Sequence, residues 1–160
     1  VADRREVVAA TGLRALETNL HGVIGTVAAI VPALLAQGRG TIGIVSSVAG
    51  YGGLPKALVY GASKAALVNF TETLYLDLSR RGLGVVLITP GFVKTPLTDR
   101  NAFRMPYLIS AEEAAAEIVA GLERGDFEIH FPRAFTRRLK LLRLLPYRWY
   151  FAIVRKATGL

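Results

Sequence analysis

The chain has 160 residues, 52% of them hydrophobic, and a formal net charge of +8, long enough to bury one core. With no cysteine it excludes a disulfide framework and thiolate chemistry, and it fits a reducing compartment. His21 and His130 stand far apart, with no acidic or histidine cluster joining them, so they read as packed or surface residues rather than metal ligands.

The longest uncharged stretch runs from Thr18 to Gly38, "TNLHGVIGTVAAIVPALLAQG", and approaches a membrane span in length. Asn19, His21, Gly22, Gly25 and Pro32 interrupt it. It therefore reads as a helix of a soluble protein, buried on both faces. Gly38, Gly40 and Gly43 in "GRGTIG" spell a literal G-x-G-x-x-G, but they precede a strand and no helix opens behind them. These glycines end the helix and start the strand.

Ile42 to Val45 is an apolar run of strand length that gives way to small residues, as a buried parallel strand opening into a loop does. Ser47 falls just past the carboxyl end of that strand, where open α/β sheets place their ligands. Its neighbour Ser46 reads as a structural hydrogen-bonding residue. Thirteen positions after Ser47 comes Tyr60, then Lys64, in "VYGASKAAL". Four apart on a helix, the two share one face. A phenol near neutrality is a poor acid or base, with an unperturbed pKa of about 10, and an ammonium beside it favours the phenolate. On its own, a tyrosine four before a lysine is a common surface pair.

Val85 to Ile88 reads as a second buried strand, after which Pro90-Gly91 forces a turn and Thr95 follows. Ser47 and the Pro90–Thr95 loop thus emerge at one edge of one sheet, and the helix carrying Tyr60 and Lys64 connects the two strands. Thr95 is also placed to cap a short helical segment beginning near Pro96. The stretch "PLTDRNAFRMPYL" is a connecting loop with one helical turn. Ser110 and Glu113 then form a capping box, with Ala114, Ile118 and Leu122 at helical spacing. Gly125 ends that helix, and Phe127 to Phe131 alternate as a third strand.

The tail differs in kind. Residues 1–128 are neutral overall, whereas residues 129–160 carry 8 basic and no acidic side chains. "FTRRLKLLRLL" and, after Pro146, "YRWYFAIVRKATGL" project as amphipathic helices. Phe135, Leu139, Leu142 and Leu145 oppose Arg137, Lys140 and Arg143 on the first. Tyr147, Tyr150, Phe151 and Val154 oppose Arg148 and Arg155 on the second. Such a tail either packs its apolar faces on the body or a partner subunit, or lies on an anionic lipid surface. Nucleic acid ranks last, because no recognition motif accompanies the charge.

Together, Asn19 in "TNLHG", Ser47, Tyr60 with Lys64, and "PGFVKT" resemble the short-chain dehydrogenase/reductase family, over about Thr11 to Pro132. The resemblance implies an α/β, doubly wound Rossmann-like parallel sheet, of which residues 1–132 form the C-terminal part, with residues 133–160 as a basic helical tail. It implies an oxidoreductase that moves a hydride between NAD or NADP and a carbonyl or secondary alcohol of a small, hydrophobic molecule. Tyr60 would then exchange a proton with the substrate oxygen, and Ser47 would hydrogen-bond it. Lys64 would tune the tyrosine and hold the nicotinamide ribose. Asn19 would hold a water linking Lys64 to solvent, and Pro90, Gly91, Val93 and Thr95 would line the nicotinamide. The segment between Pro96 and Leu108 would close over substrate.

The family's glycine-rich turn after its first strand, and the residue that reads the ribose, are not in this sequence, so NAD and NADP are not distinguished. The resemblance implies roughly 100 further residues ahead of Val1, since each βαβ unit takes about 30 or more. A homodimer or homotetramer is expected, through the long apolar helix and the one carrying Tyr60. The expected location is cytoplasmic, with peripheral contact at a membrane surface through 133–160. The alternative is a non-catalytic membrane- or partner-binding module derived from the same fold.

Overall fold

The computed structural model describes residues 12–96, 98–100 and 105–159. In chain order it shows helix α1 (Gly12–Gln37), strand β1 (Thr41–Val45), helix α2 (Leu58–Leu78) and strand β2 (Gly84–Pro90). Helix α3 (Ala111–Arg124), strand β3 (Glu128–Phe131) and helices α4 (Arg133–Arg143) and α5 (Tyr147–Thr158) follow. The strands form one parallel sheet in the order β1-β2-β3, with Thr41 opposite Gly84 and Leu87 opposite Glu128.

β2 lies in the middle of the sheet and is buried on both faces, which is why its sequence is an unbroken apolar run. On one face Val85 packs with Ile42 and Ile44 of β1, Val27 of α1 and Leu67 and Leu78 of α2. On the other, Val86 and Ile88 pack with Ala114 of α3 and with Ile129 and Phe131 of β3. Helices cover both faces, as a doubly wound fold requires.

One expectation changes here. β1 buries Ile42 and Ile44, but its alternate residues are exposed, because α3 covers the second face only over β2 and β3. Helix α1 has the length and apolar composition of a membrane span, yet it packs one side on the core through Val23, Val27, Val31 and Leu34. Its other side, including Ile24 and Ile30, is open within this chain, the side that the sequence reading gives to a partner subunit.

The local punctuation is as expected. Gly38, in the left-handed conformation, ends α1, so the G-x-G-x-x-G is a helix stop followed by β1. Ser110 and Glu113 form a reciprocal capping box, the Ser110 Oγ accepting from the Glu113 amide at 3.1 Å. The core stripe of α3 is shifted from the expected one. Leu122 turns outward, 44% exposed. Gly121 takes its place, so close to β3 that a methyl group there would sit 2.5 Å from Ile129 Cγ1.

Candidate active site

The parallel register brings the carboxyl ends of all three strands to one edge of the sheet, and the predicted residues gather there. Ser47 follows β1 and caps a short 3₁₀ turn, Val48–Gly50, its Oγ accepting from the Ala49 amide at 3.2 Å. That bond uses a lone pair and leaves the hydroxyl proton available to another acceptor. Ser46 is structural, as expected: its amide donates to Ile88 at 2.7 Å and its hydroxyl to the Lys64 carbonyl at 2.8 Å.

Tyr60 lies in the first turn of α2 and Lys64 one turn later. The Lys64 Nζ stands 5.8 Å from the centre of the Tyr60 ring and donates to the Val45 carbonyl at 3.0 Å. This ties the lysine to the end of β1, two residues before Ser47. Burial lowers the Lys64 pKa from its ordinary 10.5. Tyr60 is 44% exposed, and its hydroxyl makes no hydrogen bond among the described residues.

Two glycines that the motif reading passed over make this arrangement possible. A methyl group on Gly50 would lie 2.8 Å from the carbonyl carbon and oxygen of Lys64, and one on Gly61 would lie 3.2 Å from the Ala49 carbonyl. The loop after Ser47 is therefore laid directly on the backbone of α2 between Tyr60 and Lys64. The available signal was a glycine inside a helical stretch, which weakens the helix by about 1 kcal/mol and so points to a packing reason.

Asn19 sits half-buried within a π-helical turn, Glu17–His21, inserted in α1 and packed against α2. Single π turns in long helices recur at functional sites. Pro90 ends β2 and Gly91 donates to Phe131 at 2.7 Å, so that loop leaves from the same edge as Ser47. Val93 bridges to Ile109. Thr95 does cap the following turn: its Oγ1 accepts from the Thr98 amide at 3.4 Å, and its own amide donates to Thr98 Oγ1 at 2.8 Å. Position 97 and residues 101–104 of the expected closing segment lie outside the described residues.

Beneath the edge is a polar cluster that the sequence did not announce. Tyr51, four residues after Ser47, donates to Glu128 Oε1 at 2.6 Å and shares a 2.7 Å hydrogen bond with Thr89. Lys140 of α4 closes the cluster with an ion pair to Glu128 Oε2. It turns inward, contrary to the expectation that it faces away from the apolar side of its helix. Burial, and then Glu128, raise the Tyr51 pKa above the ordinary 10.0, so it remains a donor. Burial works to raise Glu128, but Lys140, Tyr51 and Thr89 outweigh it and hold the carboxyl below its usual range.

Next to it, His130 shares a 2.6 Å hydrogen bond between Nδ1 and Thr136 Oγ1. Burial pulls its pKa below the ordinary 6.5, and Lys140, Arg133 and Arg137 outweigh the opposing pull of Glu128. Because the folded-state value is the lower one, the unfolded chain takes up this proton first. Stability is therefore expected to decline as pH falls through 6.5. A second loss follows below 4.5, as Glu128 is protonated. Urea midpoints measured across this range check it, and His130→Gln should remove the first part of the decline.

Ser47, Tyr60 and Lys64 thus lie at the carboxyl edge of a parallel sheet covered by helices on both faces, the place where open α/β sheets hold their ligands. The family model for short chain dehydrogenases matches residues 3–104, and the chain belongs to the short-chain dehydrogenase/reductase family. It is 38% identical over 141 residues to an uncharacterized oxidoreductase of Myxococcus xanthus, covering 88% of this chain and 56% of that protein. Among solved structures, it resembles a short chain dehydrogenase from Burkholderia cenocepacia in complex with NADP, with 29% identity and a TM-score of 0.71. That match covers 79% of this chain and 53% of the other. A short chain dehydrogenase/reductase from Burkholderia phymatum in complex with NAD gives 28% identity and a TM-score of 0.67, over 77% of this chain and 54% of that one. The chain spans about half the length of the curated relatives it matches.

Proposed function

We propose that these residues form the catalytic half of an NAD- or NADP-dependent oxidoreductase that interconverts a carbonyl and a secondary alcohol. The observation that supports the reading is the contact of the loop after Ser47 with the part of α2 that carries Tyr60 and Lys64, at the edge of the sheet. The NADP and NAD complexes of the two Burkholderia proteins support the choice of cofactor. Lys64 fits such a group, since only one of its three donors is spent on Val45 among the described residues. Tyr60, Lys64, Pro90, Gly91, Val93 and Thr95 would hold the nicotinamide end, and the nicotinamide, when bound, supplies or accepts the hydride.

Ser47 donates its free proton to the substrate oxygen and orients it. Tyr60 gives that oxygen a proton in reduction and removes one in oxidation. A cation beside the phenol stabilises the charge its oxygen carries once the proton has left, and Lys64 supplies it. Asn19, in its widened turn against α2, holds the water that returns the proton from solvent. Phe92, within the Pro90–Thr95 loop, stacks on Phe135, and Phe135 on Tyr107, with ring centroids 5.8 and 5.7 Å apart, and this apolar stack favours a hydrophobic substrate. The open apolar sides of α1, with Ile24 and Ile30, and of α2, with Leu58, Tyr75 and Leu76, fit a homodimer or homotetramer, and the tail 133–160 fits peripheral contact of a cytoplasmic protein with a membrane surface.

The test is the change in nicotinamide absorbance when the full-length protein is given NADH or NADPH and a panel of ketones. Reduction of apolar ketones is the expected result. No cofactor-dependent change across the panel, in either direction, would leave the fold as a binding module.

A further inference from the structure

The tail has an inner and an outer side, and they differ in chemistry. The inner side is committed: Thr136, Tyr150 and Val154 are buried, and the Tyr150 hydroxyl donates to the Gly53 carbonyl at 2.8 Å. Lys140 is held by Glu128. This fixes the helix pair onto the loop that follows Ser47.

The outer side gathers large apolar side chains where α4 passes into α5. Leu141 is 65% exposed, Leu144 80% and Trp149 53%. Arg137 precedes Leu141 by one helical turn, whereas Arg138 is engaged by the Tyr107 ring and hydroxyl, and the Arg148 guanidinium lies 4.8 Å over the Trp149 ring. Ile153 and Lys156 continue the Trp149 side of α5, away from Tyr150 and Val154. No acidic residue occurs anywhere from 129 to 160.

Exposed leucine and tryptophan at a helix–helix turn, ringed by cations and no anion, match a surface that is apolar beneath and anionic at its face. An indole with a guanidinium stacked on it suits the boundary between acyl chains and headgroups. Nucleic acid offers the anions but no apolar layer for Leu141 and Leu144. A second copy offers the apolar layer but the same positive charge. Resting on the reading of the tail as a membrane contact, we propose that the turn between α4 and α5 enters an anionic phospholipid bilayer. Leu141, Leu144 and Trp149 sit at the acyl boundary, and Arg137, Arg148 and Lys156 meet the phosphates.

The experiment is flotation of the full-length protein with vesicles of phosphatidylcholine alone or mixed with phosphatidylglycerol, at low and high salt. Binding to the anionic vesicles only, weakened by salt, is the expected result, with a blue shift of tryptophan emission that is lost in Trp149→Phe. Leu144→Ser should weaken binding by about tenfold, the order of effect of withdrawing one large apolar side chain from such a surface. Both variants should keep the parent thermal midpoint, because neither residue is buried.

No binding to anionic vesicles at low salt would overturn the proposal. So would binding indifferent to Leu144→Ser, an equal emission shift with duplex DNA, or a shift that follows protein concentration without lipid, which would assign the face to a second copy. Binding is read without turnover, so a protein inactive towards every ketone still tests this surface.

Discussion

Tyr60→Phe is expected to lower turnover by about 10²–10⁴-fold, the usual contribution of a positioned acid or base, while leaving the fold unchanged. The substitution removes one oxygen and keeps the ring against which Lys64 stands. The hydroxyl has no hydrogen-bond partner among the described residues, so its loss strands no buried group. Steady-state rates and a thermal melt measured together check the prediction. Turnover near the parent rate would remove Tyr60 from the chemistry, and a large fall in the melting midpoint would show that the hydroxyl holds structure instead.

Gly50→Ala should injure both stability and rate. The added methyl group meets the backbone of Lys64 at 2.8 Å and the Ala65 nitrogen at 3.0 Å. A helix backbone in mid-element cannot move aside as a side-chain tip does, so the loop must give way. Overpacking of this kind costs about 1–3 kcal/mol. The displacement carries Ser47, three residues earlier, away from α2, and misplacement of about 1 Å can cost on the order of 10²-fold in rate. Urea midpoints and kcat are the two readouts. Parent stability in this variant would show that the loop does not rest on α2.

Much of the site was legible because its chemistry is local. The four-residue spacing of Tyr60 and Lys64 fixes their shared face in any helix, and the small residues after Val45 mark a strand opening into a loop. The cap at Ser110 was equally legible, since both of its hydrogen bonds form within four residues. Thr95 was read both as a cap and as a ligand contact. The structure supplies the cap, and the ligand contact stands as a proposal.

The misreadings have a common cause. Helical periodicity gives the direction of a core stripe but not which of two neighbouring positions reaches the sheet, so Gly121 and not Leu122 meets Ile129. Lys140 was set with the outward cations because its carboxylate partner is twelve residues away on another element.

By itself the sequence determined the parallel α/β pattern, the spacing of Ser47, Tyr60 and Lys64, the helix ends and the confinement of the net charge to the tail. All of these follow from residue type and short spacing. The tertiary structure decided how the parts meet: Gly50 and Gly61 lay the Ser47 loop on α2, the Tyr51–Glu128–Lys140 cluster joins that loop to β3 and α4, and the tail is divided into a packed side and an open one. Contacts between residues distant along the chain depend on the path of the backbone through space, and composition and periodicity do not encode that path locally.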